Sequence, residues 1–399
     1  MRRANLFDYV SWKGDFEFDQ SPFNPVDNII FSQLSYLPMD DIVPGPDKDK
    51  TLSIAALAKL YAEKRNSNHL APRDVMAINA ASVVNAIGTI PRYEGCGLFG
   101  YVNNTDPGEE KQFSAFCTVI GRDLPSRKLL VVYRGTDTSF VGWKEDLNMA
   151  FVSSIPAQKE AVSYLEKVAM RCPYPLILAG HSKGGNLAIY ASAFCDKAVQ
   201  ARITAVYSND SPGFHSGVIQ SDGYKAILGR VHAFVPQSSF VGMLLEHGKV
   251  PIVIKSTATA WYQHDLCSWE VTHNSLSCGG ELTPQSRLVN NIVHEWIGKF
   301  GEEQRYKFIE ALYKILVSTH ANSFAELGSD WQQAAVGIIG GLKNIDGSTK
   351  KLMAEILGEL FKTASKNIIE QRRKTGRKND KTEALWGSDL PDGGIGDFL

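Results

Sequence analysis

No uninterrupted apolar stretch in this 399-residue chain reaches the 18 or so residues that a membrane-spanning helix needs, so an integral membrane protein is not expected. Charge of one sign is also missing: 42 Lys and Arg face 43 Asp and Glu, and the formal net charge of -1 gives no electrostatic reason to expect nucleic acid as a partner. The six cysteines, Cys96, Cys117, Cys172, Cys195, Cys267 and Cys278, have no C-x-x-C spacing. A disulfide framework or metal site is therefore not expected, no cofactor is called for, and the thiols read as reduced core residues. After Arg2 and Arg3 the chain runs into the acidic and aromatic Leu6-Phe7-Asp8-Tyr9 instead of an apolar core and cleavage site. With no secretory signal in view, a cytoplasmic location is the expectation. There is no internal repeat.

What is present is a 44% hydrophobic composition, enough for one large domain with additions or for two. Residues 1–90 read as an N-terminal helical cap segment, with helices predicted at Ser53 to Arg65 and Pro72 to Ile87. Residues 91–280 alternate apolar runs with helical segments. Strands are predicted at Phe113 to Ile120, Lys128 to Arg134, Pro175 to Ala179, Arg202 to Ser208, Val231 to Pro236 and Pro251 to Lys255, and a helix at Ile155 to Arg171. This order indicates an α/β fold with a mostly parallel central sheet flanked by helices, antiparallel pairing being open at Phe113 to Arg134. Residues 281–375 read as a C-terminal helical extension: Ser286 to Phe300, Glu302 to Val317, Ser323 to Leu342 and Ser348 to Arg373. In the last, Met353, Ile356, Leu357, Leu360, Phe361, Ala364 and Ile368 form an apolar stripe to be buried on the core or on another copy of the chain. Residues 376–399 read as a flexible tail, with the basic run from Arg372 to Lys381 solvated.

The chemistry gathers at Gly180-His181-Ser182-Lys183-Gly184, a G-x-S-x-G pentapeptide between the apolar Pro175 to Ala179 and the helical Asn186 to Ala191. Glycines at 180 and 184 let helix and strand approach closely, while the sharp turn presents the Ser182 hydroxyl at the carboxyl end of the sheet. A serine hydroxyl needs a base, and the base needs a group to fix its tautomer. His264 follows the last predicted strand and is the choice for the base, with His273 as competitor in the same segment; His232, His215 and His247 rank lower. Asp210 ends the strand after the elbow helix and reads either as the acid or as the cap of the turn into Pro212-Gly213. Asp265 and Glu246 are the weaker acids. For the oxyanion, Lys183 offers its backbone N–H, and Thr136, in Tyr133-Arg134-Gly135-Thr136-Asp137, offers its amide, its hydroxyl or both. The Lys183 ammonium is expected to face solvent, where it would favour anionic or polar substrates.

At these residues the chain resembles the lipase class 3-like branch of the α/β-hydrolases. Tyr133 to Asp137, then Trp143, Asp146 and Leu147, then Gly180 to Ala188, follow that branch's block order. The layout resembles still more the bacterial Mbeg1-like group (DUF2974), through Asp8-Tyr9 with Trp12, Asn209-Asp210-x-Pro212-Gly213, Val235-Pro236-x-Ser238-x-x-Val241-Gly242 and Gln263-His264-Asp265 with Trp269. The resemblance implies an α/β-hydrolase fold with Ser182 as nucleophile, His264 as base and Thr136 at the oxyanion hole. Two departures stand out: Gln237-Ser238 replaces the acid usual after the strand ending near Val235, which leaves Asp210 as substitute, and Lys183 replaces the residue common after the serine.

The function expected is a serine hydrolase of carboxylic esters or thioesters, acting on a small-molecule or lipid-like acyl substrate through an acyl-enzyme. The alternatives are a non-catalytic binding or scaffold protein on the same fold, and a peptidase or acyltransferase using the same nucleophile. Peripheral membrane contact and a homo-oligomer through the C-terminal helices stay open.

Overall fold

The computed structural model describes residues 3–66, 74–137, 139–149, 154–297, 299–319, 345–359 and 362–363. The chain opens with α1 (Leu6–Lys13), α2 (Pro25–Leu34), β1 (Leu52–Ser53), α3 (Ile54–Asn66), α4 (Val75–Ile87) and the one-turn α5 (Pro91–Glu94). Then follow β2 (Gly97–Asp106), β3 (Lys111–Ile120), β4 (Lys128–Tyr133), α6 (Phe140–Asn148), α7 (Pro156–Arg171), β5 (Leu176–His181) and α8 (Lys183–Phe194). After α9 (Lys197–Arg202) come β6 (Ile203–Asn209), α10 (Ser216–Ile219), α11 (Asp222–Ile227), β7 (Val231–Pro236), β8 (Ile252–Ile254) and the pair β9 (Val271–Thr272) and β10 (Ser275–Leu276). Helices α12 (Pro284–Ile297) and α13 (Glu302–Val317) close the labelled elements.

Among the described residues, β1 to β8 form one sheet in sequence order, antiparallel from β1 to β4 and parallel from β4 to β8. Strand side chains alternate between two cores, as the pleat requires. In β4 and β5, Leu129, Val131, Tyr133, Leu176 and Leu178 face a layer built on α7, α8 and α11, whereas Leu130, Val132, Ile177 and Ala179 face α1 to α4. Both faces are covered, so the central strands are apolar throughout. Helices α1 to α4 thus supply one of the sheet's two helical layers. This is an α/β-hydrolase-like fold: a mixed, mostly parallel sheet between helices, with N- and C-terminal helical extensions.

Strand β2 and helices α1 and α2 were not evident from hydrophobic pattern. Their N-termini are nevertheless encoded: Asn5 with Asp8 and Asn24 with Asp27 form reciprocal capping boxes, and Pro25 occupies the first turn of α2. At the other end, α13 packs on α6, with Leu147 against a cluster that includes Phe308, Ile309, Met353 and Ile356. Leu357, at the edge of the expected stripe, is exposed. The helix expected at 323–342 and the rest of the stripe beyond 359 lie outside the described residues, as does the tail. The six cysteines form no disulfide, and Cys96, Cys117, Cys172 and Cys195 are buried. Among the described residues no helix is long and apolar enough to cross a membrane.

Candidate active site

Strand β5 ends at His181 and α8 begins at Lys183, leaving Ser182 alone in the turn with φ 55° and ψ -132°. A non-glycine residue held there costs about 1–3 kcal/mol, which the surroundings must offset. The Ser182 N–H donates to Asn209 O at 2.9 Å, and Ser182 O accepts from Gly185 N at 3.0 Å. A Cβ on Gly184 would collide with the Tyr133 carbonyl, so only glycine lets α8 start this close to the sheet. Register then aligns the neighbours. Tyr133 lies opposite Gly180 and His181 opposite Asn209, so Gly135, Ser182 and Asp210 stand side by side just past the ends of β4, β5 and β6.

His264 closes a 3-10 helix, Ala260–His264, and its Nδ1 lies 2.7 Å from Asp210 Oδ2. A carboxylate oxygen accepts, so Nδ1 is the donor of this pair, and Nε2 is the ring nitrogen not engaged by Asp210. The other carboxylate oxygen accepts from Ser239 Oγ at 2.5 Å and from Gly242 N at 3.2 Å. Asp210 itself is 1% exposed and sits at φ 45°, a left-handed conformation that Asp tolerates better than most residues. The segment after β7, where Gln237-Ser238 stand in place of an acid, therefore contributes donors that hold a carboxylate from the neighbouring strand.

His181 joins the elbow to the His264 loop. Its Nε2 lies 2.9 Å from the His264 carbonyl, which only accepts, so Nε2 donates and Nδ1 accepts from Tyr36 OH at 2.8 Å. The His181 and His264 rings lie 4.3 Å apart. Burial, with His264 as a smaller contribution, holds His181 well below the usual histidine range and hence neutral. The loop is pinned from two more directions: Gln263 Oε1 accepts from Ser238 N at 2.7 Å, and Asp265 Oδ2 accepts from Asn79 Nδ2 on α4 at 2.8 Å.

The other candidates lie elsewhere or hold other partners. His273 is exposed in the turn between β9 and β10, and His215 bonds the Met149 carbonyl. His247 bonds the Gly242 carbonyl and His232 stacks on Tyr207. The Asp265 carboxylate serves Asn79 and Cys267 N, and Glu246 is exposed.

On the opposite flank, a Cβ on Gly135 would clash with Tyr36 OH and fall 3.0 Å from Ser182 Cβ, so the loop after β4 lies directly against the serine. Thr136 Oγ1 donates to Asp146 Oδ1 at 2.7 Å. A hydroxyl has one hydrogen, so the Thr136 hydroxyl is committed to Asp146 and its backbone N–H is a separate donor. Lys183 corrects the expectation of a solvent-facing ammonium: its side chain is fully buried, with Nζ 2.9 Å from Gln112 O, 2.8 Å from Gln112 Oε1 and 2.8 Å from Glu145 Oε2. From the first turn of α8 the side chain runs under β3 and α6, so it offers no charge to an arriving substrate.

Three residues overlooked in the sequence support this arrangement: Tyr36, Ser239 and Asn28. Asn28, on α2, exchanges two hydrogen bonds with Asn209 at 2.8 and 3.0 Å, and Asn209 in turn donates to Gly180 O. The capping box that starts α2 was the available signal for Asn28.

Residues 87–314, more than half of the chain, match the Mbeg1-like family. The chain belongs to the Mbeg1-like family. As an Mbeg1-like protein it carries the elbow, Asp210 and the His264 loop inside the matched region, while α1, α2 and Tyr36 precede it. No curated protein sequence matches this Mbeg1-like chain. Among solved structures it is similar to the native Rhizomucor miehei lipase propeptide complex, at 15% identity and a TM-score of 0.31 over 51% of this chain and 66% of that one. A deletion mutant of the same complex gives 15% identity and 0.32 over 51% and 65%. M37 lipase gives 13% identity and 0.33 over 54% and 69%. The aligned part thus spans just under two thirds of the Rhizomucor miehei lipase chains.

Proposed function

We propose that this Mbeg1-like chain is a serine hydrolase that cleaves carboxylic esters or thioesters through an acyl-enzyme on Ser182. The reading is supported by the 2.7 Å pairing of His264 Nδ1 with a buried Asp210, a residue that follows β6 in register with Ser182 in its strained turn after β5. In this reading Ser182 Oγ attacks the acyl carbonyl while His264 Nε2 takes its proton, and Asp210 stabilises the imidazolium that forms. The tetrahedral oxyanion accepts from the backbone N–H groups of Lys183 and Thr136. Collapse expels the alcohol or thiol, protonated by His264, and water, deprotonated by the same nitrogen, releases the acid. The arrangement needs no metal.

A fluorophosphonate probe tests the reading, because it forms a covalent bond only with an activated serine. Labelling of the wild type, lost in Ser182→Ala and greatly slowed in His264→Ala, is the expected result. Absence of wild-type labelling, or labelling that persists in Ser182→Ala, rejects it. A panel of short and long acyl esters and thioesters then ranks the substrates by kcat/KM.

A further inference from the structure

A lysine at the first position of a helix is electrostatically misplaced, because the helix dipole is positive at that end. Burying its ammonium adds a desolvation cost that only close and complete pairing offsets. Lys183 meets both conditions, one residue after the nucleophile. Its three N–H donors meet three acceptors, two on Gln112 of β3 and one on Glu145 of α6, and the side chain has no exposed surface. Glu145 is itself fully engaged: Oε2 also accepts from Gln112 N at 3.1 Å, and Oε1 from Ala157 N at the start of α7 at 2.9 Å. The elbow helix, the β3 strand, α6 and α7 therefore meet at one buried charge pair.

The next residue on α6 extends the pair toward the serine. Asp146 Oδ1 lies 4.0 Å from Lys183 Nζ and accepts the Thr136 hydroxyl at 2.7 Å. Burial pushes the Asp146 carboxyl up to about 6, and Lys183 is the leading influence in the other direction, followed by the Thr136 hydroxyl. Only the ionised carboxylate is purely an acceptor. A neutral Asp146 would offer its own O–H to Thr136 and release the single orientation that now fixes the loop beside Ser182.

We infer that the Lys183 side chain is a positioning residue for the oxyanion hole, holding Asp146 as an acceptor and α6 in place so that Thr136 stays in the loop beside Ser182, from which its backbone N–H serves the reacting carbonyl. The inference rests on the hydrolase reading of Ser182. It separates two roles at one position: the Lys183 backbone N–H donates to the oxyanion directly, and survives replacement by Met or Gln, while the ammonium acts through Asp146.

Lys183→Met, Asp146→Asn and the double variant, assayed on a p-nitrophenyl ester beside the wild type, test it. Each single variant is expected to lower kcat by about 100-fold with KM changed by less than about threefold, since an oxyanion donor works only in the transition state. The double variant is expected to lose no more than about threefold beyond the worse single, because both act through Thr136. Wild-type kcat in Lys183→Met, or a double loss equal to the product of the single losses, overturns the inference. Lys183→Gln guards against misfolding; if neither variant at 183 folds by thermal unfolding and circular dichroism, the side chain is structural only and the inference falls. A wild type that neither hydrolyses the ester nor takes up fluorophosphonate fails the hydrolase reading itself, and the inference with it. A labelled wild type beside an unimpaired Lys183→Met fails the inference alone.

Discussion

Asp210 Oδ2 and His264 Nδ1 lie 2.7 Å apart, joining the end of β6 to a 3-10 helix 54 residues later in the chain. The hydrogen bond fixes the tautomer of His264, and Ser239 and Gly242 fix Asp210 in turn. In Asp210→Asn the side-chain oxygen can keep accepting from Ser239 and Gly242, but its N–H₂ would face Nδ1 and force the imidazole proton onto Nε2. On the hydrolase reading kcat then falls about 10³- to 10⁴-fold with the fold retained. Ester hydrolysis and fluorophosphonate labelling rates, with thermal unfolding as control, check this; a variant with wild-type rates would remove Asp210 from the mechanism.

A second expectation concerns pH and stability. His181 is held well below its ordinary value of 6.5, first by burial and then by the nearby His264, and the neutral ring accepts from Tyr36 OH at Nδ1. A histidine depressed in the folded state takes up its proton first in the unfolded chain. Its contribution to stability is therefore full above about pH 6.5 and is lost as pH falls toward the folded-state value, with a limiting slope of about 1.4 kcal/mol per pH unit. His181→Gln, which can still donate to the His264 carbonyl, should show a correspondingly flatter loss of stability between about pH 6.5 and 5. His232 and His247, also lowered chiefly by burial, are present in both proteins and drop out of the difference. Urea unfolding at several pH values measures it, and parallel curves for the two proteins would refute it.

Strands β4 and β5 were legible because they are buried on both faces and read as unbroken apolar runs, Leu129 to Tyr133 and Leu176 to Ala179. The elbow was legible because its signal is local, five residues between strand and helix. Helix α2 was not: nine of its ten residues are buried, yet Asp27, Asn28, Ser32 and Gln33 are among them, so no amphipathic period exists to be read. Those polar residues are tolerated through partners far away, Arg92 for Asp27 and Asn209 for Asn28. Lys183 was misread for the same reason. Nothing near position 183 announces Gln112 and Glu145, the residues that make burial of an ammonium affordable.

The C-terminal extension is tied to α6 at a second lysine. Lys144 Nζ lies 2.6 Å from Glu110 Oε1, pairs also with Glu310 of α13, and sits 4.4 Å above the Tyr313 ring. Burial works against its charge, but Glu110 and Glu310 outweigh it and raise Lys144 above its ordinary value. Lys144→Met leaves two carboxylates facing each other without the cation. The Lys144 side chain and Glu310 Oε1 are buried while Glu110 is partly solvated, so the cost lies between the ~1 kcal/mol of an exposed pair and the ~3–5 kcal/mol of a fully buried one. Limited proteolysis should then cut within residues 299–319 several-fold faster than in the wild type; unchanged cleavage would mean that Leu147 and its apolar neighbours hold α13 alone.

The largest effect on stability is expected far from Ser182, under the N-terminal helices. Arg92 Nη2 lies 2.6 Å from Asp27 Oδ2 and its Nε 2.8 Å from Oδ1, with both side chains fully buried. The remaining guanidinium hydrogens reach the carbonyls of Phe16, Ser21 and Pro22, while Tyr93 OH donates to the same carboxylate at 3.0 Å. Replacing such a pair with matched apolar residues can be nearly neutral, but removing one partner strands the other charge in the core. Arg92→Met should therefore cost about 3–5 kcal/mol. The double variant Arg92→Met with Asp27→Leu should recover part of that loss, although Asn24 N and the two tyrosine hydroxyls, Tyr9 and Tyr93, would then lack their acceptor. Urea denaturation of the three proteins measures both values. A single variant within 1 kcal/mol of wild type would show that Asp27 escapes burial by taking up a proton or reaching water, a change that would also loosen α2 and the Asn28 bonds to Asn209 behind the nucleophile.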